Sequence, residues 1–330
     1  MERRDLLKHC AAASAAAALT SHWLPASAQP RYPDKAVTLV VPFPAGGASD
    51  LFARVIGRKL SMRLKQPFVV DNRAGATGLI GTGYLQRARP DGYTLMVSSN
   101  SSQVIAPLLR TRPPYDPVDD FEPVSMLGAY PLALQVHPEL AARNVQELIE
   151  LAKKQPGKLN FGSIGEGSVT HFAGEVFRRR AGIEIVHVPY KGSAALSTAL
   201  IGGEIDLMFD SIGSGKAFID AGRVRALAVT GHKRAQLLPK VPSLAEAGVP
   251  GVDVRVWIGM FAPKGTPREV IALYERELRQ LLLQDADVQR AFADNGTEIV
   301  GSSAAEFVDT LRREKIGWQQ LIAELKLAKE

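Results

Sequence analysis

The 330-residue chain is predicted to adopt an α/β fold, because short apolar runs alternate with helical segments along its length. The run 37–41 is rich in β-branched residues and typical of a strand buried on both faces, as parallel strands are. Glycine- and proline-containing turns separate the runs. Further strands are predicted at 68–71, 93–97, 133–136, 159–162, 183–188, 205–209, 226–229, 252–258 and 297–300.

Helix starts are marked by a capping residue three positions before a glutamate, the pattern of a capping box. It occurs at Asn144, Ser243, Thr266 and Ser303, and Pro267 is predicted to be the first helical residue after Thr266. Two apolar stripes at helical spacing predict core-facing helices. They comprise Val270, Tyr274, Leu278 and Leu281, and Phe307, Leu311, Trp318 and Ile322. A chain of this length is expected to form two lobes.

Residues 1–28 are predicted to be a secretory signal peptide. Basic residues precede an apolar run at 10–19, and the small residues at 26–28 predict cleavage after Ala28. Arg3 and Arg4 resemble a twin-arginine signal, although Glu2 and Asp5 depart from that pattern, so ordinary secretion stays an alternative. The apolar run is shorter than the roughly 18 residues that a membrane helix needs, which makes a retained anchor the less favoured interpretation.

The cysteine content also indicates an exported protein. The single cysteine, Cys10, lies within the predicted signal, so the mature chain can form no disulfide. An exported protein of about 300 residues buries enough apolar surface to be stable without cross-links. This combination suits a bacterial periplasm, which is the predicted localisation.

The charge of the chain is mildly basic. The net charge is +6, of which the predicted signal contributes +1, and basic residues alternate with acidic ones elsewhere. Such a balance either attracts small anions or forms an ordinary solvated surface. No basic stripe with interleaved aromatic residues is present, so nucleic-acid binding is not expected.

The loop at 42–50 is the first candidate binding element. It follows the predicted strand 37–41, and Ser49 or Asp50 is expected to cap the next helix. Gly46 and Gly47 are expected to expose main-chain N–H groups, which would form an anion site at a helix N-terminus. A plain strand-to-helix turn without a ligand is the alternative. The candidate residues are Phe43, Pro44, Ala45, Gly46, Gly47, Ser49 and Asp50.

Four further glycine- and serine-rich turns follow predicted strands, at 72–78, 161–171, 189–193 and 210–216. Five such turns in one chain indicate that several helix N-termini meet at one cleft. There, backbone N–H groups and hydroxyls would hold a carboxylate with modest affinity. The hydroxyls in question belong to Ser49, Thr77, Ser163, Ser168 and Thr170.

Four charged or titratable residues carry open alternatives. Asp210 is expected either to accept a hydrogen bond from a ligand amine or hydroxyl or to cap the next helix. Lys191 either meets a carboxylate or points to solvent. His171 and Glu175, four residues apart on a predicted helix, form either an acid–base pair or a local structural interaction.

Enzyme motifs are incomplete or missing in the sequence. The segment 210–217 resembles the end of a phosphate loop, but Asp210 stands where the first glycine belongs and Ala217 where serine or threonine is required. Neither a G-x-S-x-G elbow nor an H-E-x-x-H motif occurs. No catalytic residue, cofactor or metal is therefore expected, and an exported enzyme acting on a small carboxylate is the alternative function.

Several short motifs occur together in a fixed order. They are Y-P-x-K at 32–35, V-V-P-F-P-x-G-G at 40–47, D-x-x-A-R at 50–54, D-N-R-A-G-A at 71–76, P-D-G-Y-T-L at 90–95, Y-K-G at 190–192, G-x-x-D at 203–206, W-x-G at 257–259 and A-P-x-G-T-P at 262–267. From residue 32 to its end, the chain resembles the tripartite tricarboxylate transporter receptors, the Bug-type periplasmic solute-binding proteins. Ala45 replaces a frequent proline and Asp71 a frequent glutamate, and neither change removes a hydrogen-bond donor.

The resemblance implies a two-lobed type II periplasmic binding protein fold, each lobe a mostly parallel sheet flanked by helices. Residues 29–128 and 255–330 would form lobe 1, residues 129–254 lobe 2, and ligand binding would close them. Loops 42–50 and 72–78, the latter through Ala76 and Thr77, would hold one end of a carboxylate. The other end would meet Ser163, Gly165, Ser168, Thr170, Tyr190, Lys191, Gly192 and Asp210.

The resemblance also implies a function. The receptor would be a monomer that binds an amino acid, a di- or tricarboxylate or an aromatic acid. It would then deliver this ligand to a tripartite-type membrane permease or to a sensor kinase.

Overall fold

The computed structural model describes residues 32–327, and ten β-strands within them form one connected sheet. The predicted signal peptide, with Arg3, Arg4 and Cys10, lies outside the described residues. The strands are β1 (Val37–Val41), β2 (Phe68–Asn72), β3 (Thr94–Ser99), β4 (Phe121–Val136), β5 (Asn160–Ser163), β6 (Val186–Pro189), β7 (Leu207–Ser211), β8 (Arg225–Val229), β9 (Arg255–Pro263) and β10 (Glu298–Ile299).

Nine longer helices pack on this sheet in the described part of the chain. They are α1 (Ala48–Leu64), α2 (Leu79–Gln86), α3 (Val145–Lys154), α4 (Val169–Ala181), α5 (Ser193–Ile201), α6 (Ile212–Asp220), α7 (Arg268–Gln284), α8 (Ala286–Asp294) and α9 (Ala304–Leu325). A 3₁₀ turn covers Ala76–Gly78, and the π-helical turn Ser101–Ile105 leads into the short helical turn Ala106–Leu108.

The sheet is mixed and runs in the order β2-β1-β3-β9-β4-β7-β5-β6, with β8 and β10 also paired to β4. Strand β1 is parallel to β2 and β3, and β5 is parallel to β6 and β7. The antiparallel pair β4–β9 joins these two parallel groups. The α/β prediction is therefore confirmed, while the lobe boundaries at 128/129 and 254/255 stay a prediction.

Strand β4 is much longer than its prediction, which covered only 133–136. The 16-residue strand begins at Phe121 and includes Pro123 and Pro131. Irregularities in its pairing with β9 fall between Pro123 and Ser125 and between Met126 and Gly128. Proline removes a ladder donor, so the local sequence argues against a central strand, and the first irregularity adjoins Pro123.

Two of the predicted capping residues act as predicted. The hydroxyl of Ser303 accepts a hydrogen bond from the Glu306 N–H, and the Glu306 carboxylate accepts one from the Ser303 N–H, which completes a capping box. The side chain of Asn144 accepts a hydrogen bond from the Glu147 N–H at the start of α3.

The other two predictions were wrong. Pro267 is the N-cap of α7 instead of its first residue, and the Thr266 hydroxyl donates to the Pro263 carbonyl oxygen. Ser243 and Glu246 exchange the two bonds of a capping box, but they close a turn and start no helix.

The predicted apolar stripes are buried in the structure. Tyr274, Leu278 and Leu281 of α7 and Phe307 and Leu311 of α9 have at most 1% of their surface exposed. Residues 35–327 lie within one compact unit. Among the described residues, no helix combines the length and apolar character that a membrane span requires.

Candidate ligand-binding cavity

A cavity of about 60 Å³ lies where the first turns of several helices meet the carboxyl ends of strands. This is room for roughly four to six water molecules, or for a small organic molecule. Its walls are mainly apolar or hydroxylic. They are formed by Phe43, Pro44, Ala45, Gly47, Ala48, Ser49, Ser99, Ser101, Tyr130, Leu132, Ile164, Val169, Thr170, Lys191, Gly192, Ser193, Ala194, Asp210, Ser211 and Val256.

Three helices present their first residues to this cavity. Ala48 and Ser49 begin α1, Val169 and Thr170 begin α4, and Ser193 and Ala194 begin α5. The first N–H groups of a helix have no partner within that helix, and the helix dipole places partial positive charge there. The cavity is thus suited to an anionic group without a buried cation.

The loop before α1 is organised by the carboxylate of Asp50. Asp50 accepts hydrogen bonds from the Gly46 N–H at 3.0 Å, from Arg54 at 3.0 Å and from Asn72 at 3.0 Å. Burial acts to raise the pKa of Asp50, but the bonds from Arg54, Gly46 and Asn72 outweigh it and lower the pKa. The N–H of Gly46 is therefore not free, contrary to prediction, and neither Gly46 nor Asp50 lines the cavity.

The N-cap of α1 is Gly47, and the prediction that Ser49 or Asp50 caps this helix was wrong. Gly47 has extended backbone, with φ of −87°, and a Cβ built there would meet no atom within 4 Å. Gly192 differs, since its φ is +92° and a Cβ would lie 3.2 Å from Pro44 Cγ. Of these two positions, Gly192 is the one at which the backbone itself requires glycine.

The hydroxyls of the loop after β5 bind the loop itself. Ser163 Oγ donates to the Gly165 carbonyl oxygen at 3.0 Å, and so does Ser168 Oγ at 2.6 Å. Thr170 Oγ1 accepts a hydrogen bond from the Ile164 N–H. Ser163, Gly165 and Ser168 do not line the cavity, whereas Thr170 does. These hydroxyls therefore shape the loop.

Two stacked histidines support this loop from behind. The rings of His171 and His187 have centroids 4.0 Å apart, and His187 Nε2 lies 2.7 Å from Ser163 Oγ. The Gly167 N–H donates to His171 Nδ1, so this nitrogen carries no proton. Burial lowers the pKa of both histidines to about 4, with Arg178 adding to the effect at His171 and His171 itself adding at His187.

Of the two alternatives for His171 and Glu175, the structure supports local structural interactions, which each of them makes with other residues. Glu175 accepts a hydrogen bond from Arg178 at 2.7 Å, and neither His171 nor Glu175 lines the cavity. Within residues 32–327, no group of three or more histidine, cysteine or acidic side chains is arranged to hold a metal ion.

The loop at 72–78 does not reach the cavity. Ala76 and Thr77 lie outside its lining, and both have positive φ, 48° and 52°. The Thr77 hydroxyl instead donates to the Glu166 carbonyl oxygen at 2.6 Å. This loop therefore contacts the loop after β5, and its predicted place beside the ligand stays a prediction.

The segment 190–192 contributes two of its three predicted residues. Lys191 and Gly192 line the cavity, with the Lys191 side chain largely exposed, as expected for a residue at the mouth. Tyr190 lies outside and packs on the apolar cluster around Leu196 and Leu200.

Asp210 is the one acidic side chain among the lining residues, and it is 3% exposed. It accepts hydrogen bonds from Ser193 Oγ at 3.1 Å and from Ser214 Oγ at 3.0 Å. Burial raises its pKa to about 6, an effect that its hydrogen bonds from Ser211, Ser214 and Ser193 moderate. Burial and the charge of Asp210 also raise the pKa of Tyr130.

Nine of the seventeen candidate residues line the cavity, and eleven lining residues were not among the candidates. Ser99 and Ser101 belong to the run S-S-N-S-S at 98–102, a polar cluster at a strand end that could have been noticed. Ser193 and Ser211 sit within loops that had been singled out. Tyr130, Leu132 and Val256 come from the β4–β9 pair and carry no local signal.

A protein-family model described as the tripartite tricarboxylate transporter family receptor matches residues 52–327. The chain belongs to this receptor family.

Solved structures of similar proteins agree with the family. The periplasmic binding protein BugD is 32% identical, with a TM-score of 0.85, over 91% of this receptor and all of BugD. Rpa4515 from R. palustris, solved with adipate, is 35% identical with a TM-score of 0.87, over 90% of this receptor and 99% of Rpa4515. MatC from Rhodopseudomonas palustris, solved with malate, is 29% identical with a TM-score of 0.83, over 88% of this receptor and all of MatC.

These neighbours are solute-binding proteins, and the predicted fold and family are confirmed. The receptor shares with them a mixed sheet flanked by helices.

Proposed function

We propose that this receptor captures a small carboxylate in the periplasm and delivers it to a membrane permease or a sensor. The observation that carries the proposal is the meeting of the α1, α4 and α5 N-termini at one cavity. Main-chain N–H groups and helix dipoles bind a carboxylate without the desolvation cost of a buried cation. Such binding is strong enough for capture and weak enough for release.

The ligands of similar proteins support this class of compound. Adipate and malate, found with Rpa4515 and MatC, are both small dicarboxylates. For this receptor we keep the wider class that includes amino acids, di- and tricarboxylates and aromatic acids. The cavity volume of about 60 Å³ favours the smaller members.

We further propose that capture closes two lobes, residues 29–128 with 255–330 and residues 129–254. Contacts between these segments flank the cavity. The Val169 N–H donates to Ser101 Oγ at 3.0 Å, next to the N-terminus of α4. The two segments also meet outside the cavity lining, where Phe172 and Trp318 pack edge to face with centroids 5.3 Å apart. A ligand that touches both segments would add to these contacts and favour the closed arrangement.

The alternative is an exported enzyme, and one observation bears on it. Ser163 Oγ and His187 Nε2 are 2.7 Å apart, the spacing of a nucleophile and its base. However, Ser163 is fully buried and lies outside the cavity, and its hydroxyl also bonds to Gly165. A substrate in the cavity would not meet this pair, so we favour the receptor.

Native mass spectrometry of receptor purified from periplasm without refolding tests the proposal. We expect a retained small acid whose mass identifies it. The same acid should then raise the melting temperature of the ligand-free receptor, since saturation at one hundred times the dissociation constant stabilises the folded form by about 2.7 kcal/mol. Recovery of the acid unchanged after prolonged incubation is expected. Its conversion to product would establish the enzyme instead, and no shift from a broad panel of acids would contradict the receptor.

A further inference from the structure

Asp210 stands apart from every other group that lines the cavity. It is the penultimate residue of β7, where it pairs with Ala133 of β4, and it places a carboxylate among hydroxyls, N–H groups and apolar side chains. Among the described residues, no ion pair involves Asp210. An unpaired, buried carboxylate is costly, so its presence requires an explanation.

Capping does not explain it. The N-cap of α6 is Ser211, whose hydroxyl accepts a hydrogen bond from the Ser214 N–H. One of the two hydroxyls bound to Asp210 also has another partner within reach, since Ser214 Oγ lies 3.0 Å from the Ser211 carbonyl oxygen. The alternative in which Asp210 caps the next helix is therefore not what the structure contains.

The Asp210 carboxylate has more hydrogen-bond acceptor positions than its described partners occupy. A carboxylate offers about four acceptor positions. Ser193 Oγ occupies one on Oδ1, Ser214 Oγ occupies one on Oδ2, and the Ser211 N–H occupies a third. One acceptor position remains on a side chain that lines the cavity. All three partners are neutral donors, so the negative charge itself is not neutralised.

We propose that the ligand of this receptor carries a hydrogen-bond donor, a hydroxyl or an ammonium group, at the end that faces Asp210. This inference rests on the proposed function, in which helix N-termini hold the carboxylate at the other end. A second carboxylate facing Asp210 would place two like charges in a poorly solvated cavity. The preferred class is therefore a hydroxy or amino acid, and a plain dicarboxylate of the same length is disfavoured.

Isothermal titration calorimetry at pH 7.5 with four acids of one length tests this. Butyrate, 4-hydroxybutyrate, 4-aminobutyrate and succinate differ only in the group at the far end. We expect the hydroxyl or ammonium acid to bind about 10- to 100-fold more tightly than butyrate, as a bond to a charged acceptor predicts. Succinate should bind no more tightly than butyrate. Six-carbon acids (hexanoate, 6-hydroxyhexanoate, 6-aminohexanoate, adipate) and para-substituted benzoates repeat the comparison for a longer ligand.

Two variants test whether Asp210 causes the preference for acids that carry a hydrogen-bond donor. Asp210→Asn removes the charge and should reduce the preference for the donor about 5- to 10-fold relative to the wild type, because a neutral acceptor forms a weaker bond. Asp220→Asn is the matched control. It removes an acidic residue from the far end of α6, outside the cavity lining, and should keep the wild-type preference.

The outcomes separate the two proposals. If no acid of any series binds the folded receptor, the carboxylate function fails, and this inference with it. If acids bind but succinate matches 4-hydroxybutyrate, or if Asp210→Asn retains the donor preference, only the role of Asp210 is overturned. Should Asp210→Asn not fold, the wild-type ranking of the four acids decides alone.

Discussion

The hydroxyl of Thr77 donates a hydrogen bond to the main-chain carbonyl oxygen of Glu166 over 2.6 Å, although 89 residues separate them in sequence. The bond joins the loop after β2 to the loop after β5, which belong to the two proposed lobes. Neither Thr77 nor Glu166 lines the cavity. In the proposed receptor, the free energy of this bond would therefore stabilise the closed arrangement of the two lobes without direct contact with the ligand.

Replacing Thr77 by valine removes this donor while preserving the side-chain shape. We expect Thr77→Val to weaken ligand affinity by about 2- to 12-fold, the equivalent of one neutral hydrogen bond, through faster dissociation. Stopped-flow measurement of ligand dissociation tests this. Thr310→Val is the control, because the Thr310 hydroxyl bonds only within α9, where it donates to the Glu306 carbonyl oxygen and accepts from Arg313. Equal dissociation rates for the Thr77 variant and the wild type would show that the bond does not stabilise closure.

A side chain at position 47 should block binding and spare the fold. Gly47 has backbone angles that any residue adopts and open space around its Cβ. We expect Gly47→Val to lose most ligand affinity by calorimetry and at most about 1 kcal/mol of stability, since valine is a poorer N-cap than glycine. Gly317→Ala, on α9 with similarly open surroundings, should leave affinity unchanged. If Gly47→Val has a strongly lowered melting temperature, or if it binds the ligand normally, the loop has only a structural role.

Asp210 should make the empty receptor less stable at neutral pH. Its pKa is about 6 in the folded chain and 3.8 as an isolated side chain. The folded state therefore binds more protons between these values, and stability falls as pH rises through this window and stays lower above it. Asp210→Asn should raise the free energy of unfolding at pH 7.5 by at most about 3 kcal/mol, with the gain vanishing near pH 4. Urea unfolding at both pH values measures this, and equal stability at pH 7.5 would contradict it.

The stacked histidines should make the receptor less stable at acidic pH, the opposite of the effect expected for Asp210. With folded pKa values of about 4 against 6.5 when unfolded, His171 and His187 bind fewer protons in the native state. Stability is then complete above pH 6.5 and is lost as pH falls towards 4. His187→Gln, which keeps a nitrogen near Ser163, should flatten this loss in thermal melts. His232→Gln, which alters an exposed histidine paired with Asp253, should not. If the stability of His187→Gln falls with decreasing pH as steeply as that of the wild type, other groups cause the acid sensitivity.

Export is predicted from the sequence alone. Cell fractionation with N-terminal sequencing should find a periplasmic form that begins at Gln29. Replacing Arg3 and Arg4 by lysine should block export if the twin-arginine route is used, and normal export of that variant would assign ordinary secretion. An unprocessed cytoplasmic protein would contradict the signal peptide.

Local signals predicted the strands and most of their ends, because hydrophobic runs and turn residues act within a few positions. They failed at β4, where Pro123, Gly128 and Pro131 each argue against a strand and long-range pairing with β9 overrides them. The helix N-termini around the cavity were predictable for the same local reason. Their hydroxyl partners were not, since the bonds from Ser163 to His187 and from Thr77 to Glu166 join residues far apart in sequence.

Asp50 is the clearest example of a residue whose role could not be predicted from the sequence. Its position at the predicted start of a helix fits both a cap and a ligand contact, and only the tertiary neighbour Asn72 and the preceding Gly46 reveal that it holds the loop instead. Asp210 is the converse case. The sequence left capping and ligand contact open, and the nearby Ser211 takes the capping role.

The groups that face the carboxylate in the proposed site are main-chain N–H groups at Ala48, Ser49 and Ala194 and their neighbours. Every amino acid except proline carries such a group, so almost no single substitution at these positions can delete it. Changes at the apolar walls or at Asp210 alter which compound fits, while the anchor for the acid persists. Duplicated copies of the gene can therefore diverge in preference through a few wall residues, without passing through a form that binds no acid at all.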